Sequence, residues 1–153
     1  MKNISIVDVK GRLQIIVRGA DGAIKDIREI DNLVVNAGLA FIASRLIGAS
    51  KAVMSHMALG GSTTLPAATQ TDLISMLGSR EAIDSAVIGG VNGNQVVYTA
   101  IFEPGDATGA ITEAGVFNGA TGGDMLCRTT FAVVNKGASD SISMSWTLTF
   151  SAG

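Results

Sequence analysis

The side chains able to do chemistry are few and scattered. His56 is the single histidine, set in the apolar run Val53-Met-Ser-His-Met-Ala-Leu59. Acid–base work needs a positioned partner, and no Ser or Cys nucleophile motif stands near it, so a hydrogen-bonded structural histidine is expected. Cys127 is the single cysteine. Alone it forms no internal disulfide and no cysteine zinc cluster. Its alternation with Met125 and Thr129 puts it on a strand face as a small apolar filler. Glu103, Asp106, Glu113 and Asp124 fit no calcium-loop spacing. Gly60-Gly61-Ser62-Thr63-Thr64 has the glycines and hydroxyls of a phosphate cradle but no Lys. Glu113 stands among small residues, Gly109-Ala-Ile-Thr-Glu-Ala-Gly115, where backbones approach closely. A carboxylate there needs a cation such as Arg128, or backbone amides, and reads as a structural pin. These residues predict no catalytic site, no metal site and no cofactor.

Composition narrows the class further. At 153 residues the chain fits one domain, 1–153, large enough to bury roughly 70% of its unfolded surface. Charged residues are 16%, against roughly 25% in ordinary soluble domains. Nineteen glycines fit the many turns of an all-β chain. The net charge of −2 leaves no electrostatic footprint for nucleic acid or an anionic membrane. No run approaches the roughly 20 apolar residues of a membrane span. The first ten residues hold no apolar core of a signal peptide, so synthesis in a cytoplasm is expected. Charge is uneven: residues 1–36 carry eleven charges of mixed sign, residues 85–153 only seven. The first segment tolerates water, and 1–31 could form an N-terminal strand arm. The second needs cover.

The elements that would position these residues are mostly strands. Ser5–Val9 and Leu13–Arg18 read as two strands joined at Lys10-Gly11, and Ala20-Asp21-Gly22 is a turn leading to a strand over Ile24–Ile30. Asn36 is a good N-cap, and Leu39, Ile42 and Leu46 recur at helical spacing before Gly48, which predicts one helix over 37–47 with those three inward. Val53–Leu59 reads as a strand, Thr71 and Asp72 as caps of a helical turn or two through Leu77, and Arg80–Ile88 as a strand. Asn92-Gly93 is the strongest hairpin signal, followed by a strand over Gln95–Phe102. Ile111–Phe117 and Met125–Val133 are further strands. Eight or nine short strands at regular spacing predict a mainly β fold, a single-domain β-sandwich or jelly roll with one helix.

The closing strand, Ser141–Ser151, alternates without error. Ile142, Met144, Trp146, Leu148 and Phe150 share the face expected to be core; Ser143, Ser145, Thr147, Thr149 and Ser151 share the other. An ordinary solvent face would carry Lys and Glu. An uncharged Ser/Thr face suits being covered, so Ser143, Ser145, Thr147 and Thr149 are the expected interface.

Four stretches carry a resemblance: Asn32-Leu-Val-Val-Asn-Ala-Gly-Leu-Ala-Phe-Ile-Ala-Ser-Arg45, Met54-Ser-His-Met-Ala-Leu-Gly-Gly-Ser-Thr-Thr64, Gly105-Asp-Ala-Thr-Gly-Ala-Ile-Thr-Glu-Ala-Gly-Val-Phe-Asn118, and Val134 through Phe150. Together they resemble a family of small structural proteins of tailed bacteriophages, usually described as tail-fibre or generic virion proteins. The likeness runs from about Asn32 to the C-terminus. It implies a non-enzymatic virion protein, made in the host bacterial cytoplasm and placed as an exterior module of the tail: a fibre, collar or baseplate component. A capsid decoration (cement) protein on the head is the alternative. A carbohydrate-binding β-sandwich for host attachment is a further one, and would want exposed aromatics among one Trp, one Tyr and five Phe. Expected partners are the chain itself, as a trimer or ring, and other virion proteins.

Overall fold

The structure is a computed structural model and describes residues 5–153. The fold is mainly β. Among the described residues nine strands and one helix follow in the order β1 (Val7–Arg18), β2 (Ile24–Val34), α1 (Asn36–Leu46), β3 (His56–Gly60), β4 (Met76–Ala82), β5 (Ser85–Gly89), β6 (Gln95–Phe102), β7 (Gly109–Phe117), β8 (Met125–Lys136) and β9 (Ser141–Ala152). All pair antiparallel in one sheet of order β4-β3-β7-β8-β2-β1-β9-β6-β5.

That single order corrects the expected sandwich or jelly roll. The sheet is continuous because β2 serves both halves: residues 24–32 pair with β1, and Leu33 and Val34 pair with Arg128 and Cys127 of β8. It curls so that Leu13, Trp146 and Phe102 from one half share a core with Leu59, Val116 and Leu126 from the other. Its two edge strands are consecutive in the chain and meet at a corner. There the Ile83 amide donates to Ser55 carbonyl at 2.8 Å and the Asp84 amide to Thr99 carbonyl at 2.8 Å. Arg80–Ile88, expected as one strand, is therefore broken at Ile83-Asp84.

The N-terminal strands also differ. Lys10-Gly11, expected as a junction, lies inside the long strand β1. Gly11 is needed there because a Cβ would overlap the Asn32 side chain, which reaches across from β2 to accept from Trp146 Nε1 at 2.9 Å. The charged N-terminal stretch, expected as an arm, lies mid-sheet between β2 and β9. Its first four residues fall outside the described ones.

The helix forms where expected but turns another face inward. Val35 is the N-cap, and the Asn36 amide donates to Ala68 carbonyl instead. Gly38 and Phe41 are buried, Ile42 is half-buried, and Leu39 and Leu46 are exposed at 47% and 86%. The cause is a close approach: a Cβ on Gly38 would overlap the Leu126 carbonyl, so the helix seats on β8 at its glycine. Leu39 and Leu46, off that line of contact, then point out.

On β9 the alternation holds. Ile142, Met144, Trp146 and Leu148 are buried and Phe150 is half-buried at the rim. Gly61–Ser75 makes no helical turn. It is a loop laid over the outer side of β7 and β8, and it covers a second small core of Val35, Ala58, Leu73, Phe117 and Met125. Among the described residues no helix is long and apolar enough to cross a membrane.

Candidate functional site

Of the titratable groups singled out by residue type, Glu113 is the one most fully engaged. Glu113 on β7 and Arg128 on β8 are both fully buried and form a two-toothed pair, with Nε at 3.0 Å and Nη2 at 2.7 Å from Oε2. The carboxylate also accepts from the amides of Ser75 (2.7 Å), Ile74 (3.1 Å) and Ser62 (3.4 Å). Arg128 Nη1 donates to Thr64 carbonyl and Gln70 Oε1, each at 2.9 Å. The pair thus clamps both ends and the middle of the Gly61–Ser75 loop. The Gly60–Thr64 run, which has the look of a phosphate cradle, presents its amide to this carboxylate.

The remaining candidates are similarly placed. Cys127 faces the main core, and burial pushes its thiol well above the ordinary value despite a hydrogen bond with the Val116 backbone. His56 Nδ1 lies 2.8 Å from Ser55 Oγ, the neighbouring side chain. Asp124 pairs with Lys51 at 3.0 Å. Glu103 offers its carbonyl to Lys136 Nζ at 2.8 Å, and the Asp106 amide donates to the same carbonyl at 3.0 Å. Among the described residues no three His, Cys, Asp or Glu side chains gather as a metal site. Sequence reasoning missed Arg80. It is buried, 3.6 Å from the Phe117 ring centroid, and donates to the carbonyls of Gly119 and Gly122 at 2.9 and 2.7 Å. Its charged partner among the described residues is Asp72 at 3.3 Å, and its shorter bonds go to carbonyls some 40 residues away, which no spacing rule encodes.

The outer face of the sheet is the surface with most to offer. Ser143, Ser145, Thr147 and Thr149 are half-buried in its middle. On one side they face Ile16, Gln14, Arg12 and Lys10 of β1; on the other they face Ile101, Thr99, Val97 and Gln95 of β6. Arg18 donates to Ser143 Oγ at 3.3 Å and Gln95 to Thr149 Oγ1 at 3.1 Å. Arg12 pairs with Glu29 and walls a shallow depression with Gln14, Ser145 and Thr147. The Ser/Thr stripe is therefore a border. Charge lies on the β1–β2 side, whereas the β5–β6 hairpin, Ser85 through Phe102, carries none.

At one end of that hairpin an apolar groove of about 460 Å³ opens between α1 and the sheet, floored by Phe41, Met54, Tyr98 and Leu148. Its rim includes Leu46, Val53 and Ile88, exposed at 86%, 61% and 70%. Exposed contiguous apolar surface is where a protein can contact another molecule. No family model, no curated protein and no solved structure matches the chain.

Proposed function

We propose that the chain is a non-enzymatic structural component of a tailed-phage virion, an exterior module of the tail that assembles with copies of itself and with other virion proteins. The observation that carries the reading is the outer sheet surface, a Ser/Thr stripe continuing into an uncharged hairpin, with an apolar groove on the opposite face of that hairpin beside α1. Such a surface is depleted of the charges that keep a free face soluble, and depletion of charge is the mark of interface centres. Supporting it, Glu113 is taken up by Arg128 and backbone amides, Cys127 is buried in the core, and His56 and Asp124 are each held by a neighbouring side chain. The sequence resemblance points to the same setting.

The self-contact is a trimer or ring formed over Ser143, Ser145, Thr147 and Thr149. Two experiments test the reading. Imaging of purified particles with the protein tagged should place label on the tail; particles free of the protein would overturn the virion reading. In sedimentation, wild type should run as a multimer at micromolar concentration. Thr147→Lys should remove the ring contact while the circular dichroism spectrum stays native, because a buried unpaired ammonium is costly. A wild-type chain that sediments as a monomer refutes the self-contact.

A further inference from the structure

The two free edges of the sheet are built differently. The β4 edge carries Glu81 and is distorted at Gly78, whose φ is +66° beside a break in register with β3. Charge and local distortion are the usual means by which a native edge refuses another strand. The β5 edge, Ser85-Ala-Val-Ile-Gly89, has neither charge nor proline, and its register with β6 is unbroken. Val87 is 53% exposed and Ile88 70%. A regular, apolar edge whose backbone groups have no strand partner among the described residues is a template for strand addition.

What would add to it follows from the pattern. An uncharged edge gives no purchase to a charged strand and no repulsion to an uncharged one, and the chain's own β5 is uncharged. Turned about a two-fold axis through Val87, the strand also complements itself by size. Val87 meets the second copy's Val87 on the outer face. Ala86 meets Ile88 and Ile88 meets Ala86 on the groove face, small against large on both sides of the axis. Ser85 meets Gly89. The same face of β5 lines the apolar groove through Ile88, beside Val53.

We infer that β5 is a two-fold self-pairing site, at which Ser85–Gly89 of one copy lies antiparallel to Ser85–Gly89 of a second copy and joins two curled sheets edge to edge. The inference deepens the assembly reading above and rests on it, but it adds a second contact, distinct from the Ser/Thr stripe. Rings joined through β5 would have closed dihedral symmetry, a common outcome when a ring contact and a two-fold contact coexist.

The test separates the two contacts. Val87→Cys places a thiol on the axis opposite its own copy, within the reach of a disulfide between directly opposed strand residues. Under mild oxidation most of it should migrate at twice the monomer mass on a non-reducing gel. Ile101→Cys, exposed on the same sheet face two strands in from the axis, should not. The native Cys127 is buried and silent. Thr147→Lys should sediment as a dimer, Val87→Lys as the ring or trimer, and the double variant as a monomer. If Thr147→Lys sediments as a monomer, or Val87→Cys links no more than Ile101→Cys, the β5 pairing is wrong. Loss of the ring in Thr147→Lys would then still support the assembly reading.

Discussion

Glu113 and Arg128 concentrate the residue-scale physics of the chain. Two opposite charges share a fully buried site, and each spends its remaining hydrogen-bonding capacity on the Gly61–Ser75 loop. A buried pair is weak evidence for stability in itself, yet breaking one partner leaves an uncompensated charge and costs about 3–5 kcal/mol. Glu113→Gln keeps the shape and an acceptor for the loop amides while stranding the guanidinium. The expected outcome is a melting transition lowered by that amount, with faster thermolysin cutting at Leu65 or Leu73, since the loop loses its central anchor. A loop that stays as resistant as wild type would show that Leu73 and the small core beneath it hold the segment without the charge. That Glu113 needs a cation such as Arg128, or backbone amides, was legible in the sequence, and the structure supplies both. That the pair exists to hold a loop was not. The loop's own contribution is backbone amides, which no side-chain motif encodes.

At the scale of elements, what could be read depended on whether one face alone set the structure. β9 was legible in full, since its alternating face meets one core and its neighbours only extend the pattern. α1 was legible in place but not in rotation. Leu39, Ile42 and Leu46 are a valid helical stripe, but helix docking was decided by where the backbone could come closest, and that is Gly38 on the Leu126 carbonyl. Gly38→Ala tests this. The change improves intrinsic helix propensity by about 1 kcal/mol. Against that, the added methyl must lift the helix off β8 or strain the turn, and overpacking of this kind costs about 1–3 kcal/mol. A net lower melting temperature is expected, with greater accessibility of the groove to an apolar dye as Phe41 withdraws. A raised melting temperature would mean that the helix floats on its leucines after all. The Ile83-Asp84 break was not legible for a related reason: a strand corner made by two backbone hydrogen bonds leaves no pattern in hydrophobicity.

For the whole molecule, a regular series of short antiparallel strands established the class but not the closure. A sandwich and a curled sheet share the same alternation, strand length and turn chemistry; they differ in which strands become neighbours, here through β2 passing from one half to the other. One property of the assembled molecule is open to a direct titration. The curl brings Glu81, Asp84, Glu103 and Asp106 near one another, and burial, then the charges of Asp106, Asp84 and Glu103, raise Glu81 above its ordinary 4.5. Asp140 shifts the other way, held below its ordinary 3.8 by hydrogen bonds from Lys25 and the Gly137 amide. The signs follow from proton linkage. For Glu81 the folded state binds protons more readily than the unfolded chain. Its charge therefore weakens the fold at neutral pH, and that penalty is relieved as pH falls from the raised value toward 4.5. For Asp140 the folded state binds protons less readily. Its contribution is fully present above the unfolded value near 3.8 and disappears as pH falls through the lower folded value. Acidification should thus first raise the melting temperature slightly above pH 4.5 and then lower it below pH 3.8. Glu81→Gln should remove the rise and leave the fall. Asp140→Asn should begin less stable at pH 7 and differ less from wild type at pH 3. If both variants track wild type in parallel at every pH, neither carboxylate is held as the structure places it.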